Sequence, residues 1–328
     1  MRKAHVGILG STGAVGREML KVMEEKNLPI GQLRLFASSR SAGKVMKFHD
    51  RQIIIEIADE HSFDGLDVVL GAVDAEQSRM YAPMIQKAKA IYIDNSSAFR
   101  LDSDVPLVIP QINPDALKHH QGIIANPNCV TIIGLMACAP LHQVNPIRRI
   151  VASSYQAVSG AGAAGMDELL HQMKDLNEGR PLSSEVFSHQ IACNLIPQIG
   201  GFDEAGYTSE EMKFQNESRK ILNDPDLKVC CTCVRVPVMR SHSISMNIEL
   251  THEMSVKQAE ELINAFDSVR VSETYPTPIE TSDQDTVFVG RIRKDLTCDK
   301  GLALWCCGDQ IRKGAASNAI EIMEILMK

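Results

Sequence analysis

Apolar runs broken by turn residues organise the first third of the chain. Ala4–Leu9 reads as a short buried strand, followed by Gly10-Ser11-Thr12-Gly13-Ala14-Val15-Gly16 and an amphipathic pattern to about Lys26. Further strand-like runs fall at Leu33–Ala37, Ile53–Ile57, Val68–Leu70, Ile91–Asp94 and Leu107–Ile109, with a helical period from about Ala75 to Lys89. Such alternation predicts a parallel, doubly wound sheet. The apolar pair Ile123-Ile124 then leads through Asn126-Pro127-Asn128-Cys129 into Thr131–Leu141, whose uniform apolarity predicts a buried helix.

Past Asn145-Pro146 the pattern changes. A long strand, Ile150–Val158, enters Ser159-Gly160-Ala161-Gly162-Ala163-Ala164-Gly165 and a helix to about Leu176. Strands follow near Val229–Val236, Ser243–Leu250, Thr286–Arg293 and Leu302–Cys307, with helices near Ser209–Leu222 and Val256–Phe266. Few of these strands are joined by helical crossovers, so a mixed, largely antiparallel sheet with helices on one face is expected. Its other face is expected to bury against a second copy of the chain. The last segment, Asp309–Lys328, reads as a helix that returns to the first domain. The predicted fold class is therefore α/β: a dinucleotide-binding domain of the Rossmann type (residues 1–130 plus 309–328) and an α+β catalytic and dimerisation domain (residues 131–308).

A length of 328 residues exceeds the usual size of one core, in keeping with two domains. The net charge of −7 argues against nucleic acid as a partner. The longest apolar run, near Ile132–Leu141, is about half the ~20 residues a membrane-spanning helix needs, and the N-terminus lacks a signal-peptide pattern. Nine cysteines without a secreted-type framework suit a reducing cytoplasm. Neither Cys230-Cys231-Thr232-Cys233 nor Cys306-Cys307 has the spacer of a zinc knuckle, so no metal is expected.

The candidate chemistry begins at the glycines. Gly10, Gly13 and Gly16, at the end of the first strand, allow a tight turn and a close approach of backbone to a pyrophosphate at a helix N-terminus. After the second strand the chain offers Ser38-Ser39-Arg40 where an NAD enzyme places an acid for the ribose hydroxyl. Hydroxyls and a guanidinium suit a 2′-phosphate, so NADP(H) is predicted over NAD. Arg100 follows the Asp94-Asn95-Ser96-Ser97 turn at the carboxyl end of a strand, where open α/β sheets bind ligands, and is a candidate anion clamp. Cys129, at a turn opening a helix, faces the positive end of the helix dipole, a setting that favours a reactive thiolate. Arg235 and His242 share the segment Val234-Arg235-Val236-Pro237-Val238-Met239-Arg240-Ser241-His242-Ser243. An arginine grips carboxylates and an unperturbed histidine moves protons near neutral pH. Nucleophile, base and a nicotinamide cofactor together suit acyl transfer coupled to hydride transfer.

With these motifs, and with Tyr155-Gln156-Ala157-Val158-Ser159-Gly160-Ala161-Gly162, Glu210-Glu211-Met212-Lys213 and Arg312-Lys313-Gly314-Ala315-Ala316, the chain resembles the bacterial aspartate-β-semialdehyde dehydrogenases over nearly its whole length. The resemblance implies NADPH-dependent reductive dephosphorylation of L-4-aspartyl phosphate to L-aspartate 4-semialdehyde. This is the branch-point step toward lysine and diaminopimelate, threonine, methionine and isoleucine. It implies that Cys129 is the nucleophile and forms an acyl-thioester, that His242 is the general acid/base, and that Gln156 orients the thioester. It further implies Arg235 on the substrate carboxylate, Glu210 on the amino group, Arg100 and Lys213 on the phosphate, and Ser159 and Gly160 beside the nicotinamide. A homodimer is implied as well. Two departures stand out: Val130 follows the nucleophile where many members carry a hydroxyl, and Gln310 stands where the family usually has asparagine near the nicotinamide. The competing expectations are an N-acetyl-γ-glutamyl-phosphate reductase and a non-catalytic NADP-binding regulator.

Overall fold

The computed structural model describes residues 3–328 and divides into two compact units. One comprises the chain up to Asn128 together with Ala315–Lys328, and the other is Cys129–Gly314. In the first unit, β1 (Ala4–Leu9), α1 (Ala14–Glu25) and β2 (Ile30–Phe36) form the opening crossover. The hairpin β3 (Val45–Phe48) and β4 (Arg51–Glu56), then β5 (Val68–Gly71), α2 (Ala75–Lys87), β6 (Ile91–Asp94) and β7 (Ile123–Ala125) complete it. The strand order is β3-β4-β2-β1-β5-β6-β7, parallel except for the β3–β4 edge. The order of strand addition reverses between β1 and β5, the switch point at which such parallel sheets bind ligands.

The second unit opens with α3 (Cys129–Val144) and β8 (Ile147–Gln156). After α4 (Gly162–Asn177) and α5 (Ser209–Ile221) come β9 (Lys228–Arg235), β10 (His242–Leu250), α6 (Val256–Ala265) and β11 (Val269–Val271). A single turn α7 (Pro278–Thr281), β12 (Val287–Lys294) and β13 (Gly301–Gly308) close it, and α8 (Asn318–Leu326) belongs to the first unit. The six-stranded sheet runs β11-β12-β13-β10-β8-β9. Its three central pairings are antiparallel and its two outer ones parallel, the mixed sheet expected. Residues 130–141 of α3 are buried throughout, and α3, α5 and α6 pack along one face. The opposite face is open: Arg149, Tyr155, Cys230 and Asn247, aligned by register, are all exposed. Among the described residues, no helix is long and apolar enough to cross a membrane, and no group of three His, Cys, Asp or Glu side chains is suited to a metal ion.

Several local expectations are corrected. Leu107–Ile109 is not a strand; Leu107 makes one bridge to Ala125, because Pro106 and Pro110 on either side have no N–H to extend a ladder. The first strand of the β3–β4 hairpin was hidden by its exposure, with Val45 at 51% and Lys47 exposed as well. The final segment is not one helix: a π-helical turn over Arg312–Ser317 precedes α8. The expected border after residue 130 falls instead between Asn128 and Cys129, since Cys129 is already the first residue of α3. The return to the first unit starts at Ala315 rather than 309. There α8 buries Ala319, Ile320, Ile322 and Met323 in the first core, and Asn318 Nδ2 donates to Val108 O at 2.9 Å and Asn126 Oδ1 at 2.7 Å.

Candidate active site and nucleotide cleft

A cleft of about 560 Å³ in the first unit is lined by Gly10, Thr12, Gly13, Ser38, Ser39 and Arg40. Gly10 has φ +77°, and a Cβ there would lie 2.2 Å from the Ala72 carbonyl oxygen. Only glycine fits. A Cβ at Gly16 would lie 2.4 Å from Gly10 O, so this glycine lets α1 start hard against the turn. No side chain caps α1, whereas Asp74 caps α2 through Gln77 N at 2.9 Å. The α1 amides are thus left for a ligand anion. Ser11 turns inward, its Oγ donating to Phe36 O at 3.2 Å, and Ser11, Ala14, Val15 and Gly16 do not line the cleft. These features fit a dinucleotide, with Arg40 and the serines where a 2′-phosphate is expected.

Arg100, also in the first unit, is buried. Its Nε donates to Asn126 O at 2.9 Å and its Nη2 to Asn95 O at 2.7 Å. Asn126 Nδ2 in turn donates to Asn95 Oδ1 at 2.8 Å. Together these bonds hold the chain three residues ahead of Cys129.

The second unit contains Cys129, Gln156, Ser159, Gly160, Glu210, Lys213, Arg235, His242 and Gln310. Cys129 is partly accessible at the N-terminus of α3. A Cβ at Gly314 would come within 3.0 Å of Cys129 Cβ, so the π-helical turn packs directly on the thiol-bearing residue. Glu210, on the first turn of α5, is buried; its Oε2 meets Lys213 Nζ at 3.0 Å and its Oε1 meets Gln156 Nε2 at 3.4 Å. Arg235, at the end of β9, donates from Nη1 to Ala157 O at 2.7 Å, with its guanidinium 5.8 Å from the centre of the Phe187 ring. Burial lowers its pKa, opposed by the nearby Glu210, Cys129 and Cys233. A Cβ at Gly160 would lie 2.7 Å from Arg235 Nη1 and 3.5 Å from His242 Cε1, so arginine and imidazole flank one glycine.

His242, the first residue of β10, is fully buried. Ala157 N donates to its Nδ1 at 3.1 Å, and Nε2 has no hydrogen-bond partner among the described residues. Because Nδ1 accepts, the neutral ring carries its proton on Nε2. Burial and the nearby Arg235 push the imidazole down to about 3. The side chain is therefore a neutral donor, not the near-neutral titrating group anticipated. A buried N–H without a partner calls for an explanation, and a ligand oxygen or sulfur supplies one.

Sequence reasoning overlooked what aims Glu210. Thr208 and Glu211 form a capping box in which Glu211 Oε2 accepts from Thr208 N at 2.6 Å. The other oxygen of Glu211 accepts from Cys233 N at 2.9 Å, tying α5 to β9. The signal was present as Thr208-Ser209-Glu210-Glu211, a threonine followed three residues later by glutamate.

Comparison with known proteins agrees with this geometry. Residues 5–120 match the NAD binding domain of semialdehyde dehydrogenases and residues 138–313 match their dimerisation domain. The chain is 46% identical to aspartate-semialdehyde dehydrogenase of Synechocystis, across 98% of this chain and 97% of that one. It is also 46% identical to the Aquifex aeolicus protein of that name, across 98% of both. The crystal structure of aspartate semialdehyde dehydrogenase II complexed with ASA from Vibrio cholerae superposes with a TM-score of 0.98 at 40% identity, covering 100% of this chain and 99% of that one. Domain matches over both units and full-length identity place the chain in one family: it belongs to the aspartate-semialdehyde dehydrogenases.

Proposed function

We propose that this chain carries out the NADPH-dependent reductive dephosphorylation of L-4-aspartyl phosphate to L-aspartate 4-semialdehyde through an acyl-thioester on Cys129. The observation that carries the reading is the cluster around Arg235: one guanidinium senses both Cys129 and Glu210, and it shares Gly160 with His242. Nucleophile, acid and carboxylate grip thus meet within a few side chains.

The Cys129 sulfur attacks the acyl carbon, the C–O bond to phosphate breaks, and the leaving phosphate is taken up by Arg100 and Lys213. Arg235 holds the α-carboxylate by a charge-assisted pair of hydrogen bonds. The Glu210 carboxylate takes the α-ammonium group, which an acetylated substrate lacks; this favours the aspartyl substrate over an N-acetylglutamyl one. Gln156, held by Glu210 and by Ser154 Oγ at 3.3 Å, orients the thioester carbonyl. The glycine turn and Arg40 would hold NADPH, which would supply the hydride. Nε2–H of His242 donates a hydrogen bond to the oxyanion, whose collapse re-forms the carbonyl and releases the Cys129 sulfur as thiolate, with Ala157 N holding the ring in the required tautomer. The product aldehyde feeds lysine, diaminopimelate, threonine, methionine and isoleucine synthesis, and we place the enzyme in the cytoplasm. A homodimer covers the open face of the six-stranded sheet.

The test is phosphate-dependent formation of NADPH from L-aspartate semialdehyde and NADP. Activity with N-acetylglutamate semialdehyde in its place, and none with aspartate semialdehyde, overturns the assignment.

A further inference from the structure

Arg235, the proposed grip on the substrate carboxylate, shares its surroundings with an aromatic ring. Its guanidinium carbon sits over Phe187, 5.8 Å from the ring centre, within the reach at which an aromatic face attracts a cation. Phe187 belongs to residues 180–195, which form no helix or strand. Such a stretch has no ladder of its own to fix a ring beside a charge. At its far end the chain comes back to the arginine: Ile196 N donates to Arg235 O at 3.0 Å, and Arg235 N donates to Ile196 O at 2.8 Å. Phe187, Ile196, Ile199 and Arg235 line one cavity of about 220 Å³.

Two side chains of α4 supply the missing order. Glu168 and Gln172 are four residues apart and so share one face of that helix. Glu168 Oε2 accepts from Glu185 N at 2.8 Å and from Val186 N at 2.6 Å, and its Oε1 accepts from Phe187 N at 3.3 Å. Three consecutive amides thus converge on one anion, and a carboxylate can accept from all three because it has no proton to donate. Gln172, which is buried, accepts from Ile191 N at 2.9 Å and Ala192 N at 3.0 Å, and donates to Ser183 O at 2.7 Å. A Cβ at Gly165 would lie 3.0 Å from Phe187 Cζ, so the bare glycine lets the ring lie against α4. The ring packs there on a small core that includes Val158, Leu169 and Ile191.

We infer that Phe187 is a positioning residue for Arg235, its ring holding the guanidinium where the substrate carboxylate binds, and that Glu168 positions Phe187 by gripping the amides of residues 185–187. The inference rests on the aspartate-semialdehyde dehydrogenase reading, in which Arg235 takes that carboxylate. Arg235→Lys tests the reading separately: an unchanged KM for aspartate semialdehyde in this variant removes the grip itself, whatever Phe187 does.

The experiment is steady-state kinetics of the full chain with L-aspartate semialdehyde, NADP and phosphate, for Phe187→Leu, Phe187→Tyr, Glu168→Ala and the double variant Glu168→Ala/Phe187→Leu. Phe187→Leu stays apolar and loses the ring. It is expected to raise KM for aspartate semialdehyde about three- to tenfold, the scale of one cation–π contact, with kcat and the NADP KM within about twofold. Phe187→Tyr keeps the ring and is expected to stay within about twofold of the native chain. Glu168→Ala is expected to raise the same KM by a similar factor, but by less than about twofold where Phe187 is already leucine. An unchanged KM in Phe187→Leu, when Arg235→Lys raises it, overturns the inference. So does a Phe187→Tyr variant as impaired as Phe187→Leu, or a Glu168→Ala loss that persists in full in the Phe187→Leu background. A parallel loss of kcat and NADP affinity in Phe187→Leu also overturns it, since that marks a general loss of structure. If Glu168→Ala does not fold, Glu168→Gln, which keeps the length and removes the charge, is read by the same criteria.

Discussion

The backbone amide of Ala157 donates to Nδ1 of His242 at 3.1 Å, and this one bond decides which nitrogen of the imidazole carries its proton. With Nδ1 filled, the neutral ring presents Nε2–H and resists a second proton. Its depressed pKa, about 3, has a consequence for folding. The unfolded chain binds a proton on this histidine below about 6.5 and the folded chain does not, so stability falls as pH drops through that window, toward 3. Between pH 6.5 and about pH 5 the contribution is about 1–2 kcal/mol. Urea melts of the native chain and of His242→Gln over this range are expected to differ in slope by that amount, with the variant less acid-sensitive. Equal slopes contradict the buried neutral imidazole. The same variant is expected to lose about 10²–10⁴-fold in kcat.

Most of the architecture was legible in the residues. The glycine turn after Ala4–Leu9, the apolar run after Cys129 and the change of pattern past Asn145-Pro146 each correspond to an element of the structure. What escaped was set by long-range contact. β11 is only three residues long and forms by lying parallel to β12. The state of His242 depends on burial, and on an amide just past the end of β8, 85 positions away in sequence. Neither is written in local pattern.

Gly160 is a sensitive position. A methyl group there meets Arg235 Nη1 at 2.7 Å and pushes the guanidinium off its bond to Ala157 O. Gly160→Ala is expected to raise KM for aspartate semialdehyde about tenfold, the scale of one weakened charge-assisted contact. Steady-state kinetics at saturating NADP check this. An unchanged KM removes Arg235 from substrate binding.

Arg40 lines the first unit's cleft, and on the proposed function it sets cofactor selectivity. For Arg40→Ala, KM for NADPH is expected to rise about 10- to 100-fold with kcat nearly intact and use of NADH unaffected, since only the 2′-phosphate loses its partner. A parallel loss with NADH contradicts that assignment. Gly10→Val, which forces a side chain into the Ala72 carbonyl, is expected to abolish binding of both nucleotides.

The capping box of α5 joins stability to substrate binding. Thr208→Ala removes the acceptor for Glu211 N and is expected to cost about 1 kcal/mol in thermal or urea unfolding. Glu211→Ala also frees Cys233 N and is expected to cost more. KM for aspartate semialdehyde is expected to rise with it as Glu210 and Lys213 lose their orientation. Loss of stability with unchanged KM shows that the cap does not reach the site.

The covalent step is tested most directly by adding L-aspartate semialdehyde and NADP to the full chain without phosphate and following a single burst of NADPH, then locating the adduct by mass spectrometry. One NADPH per chain, with an aspartyl group on Cys129 alone that is released by added phosphate, is the predicted result; Cys129→Ala gives no burst yet binds NADP as before. A burst that survives in Cys129→Ala, or an acyl group found on another of the nine cysteines, contradicts it.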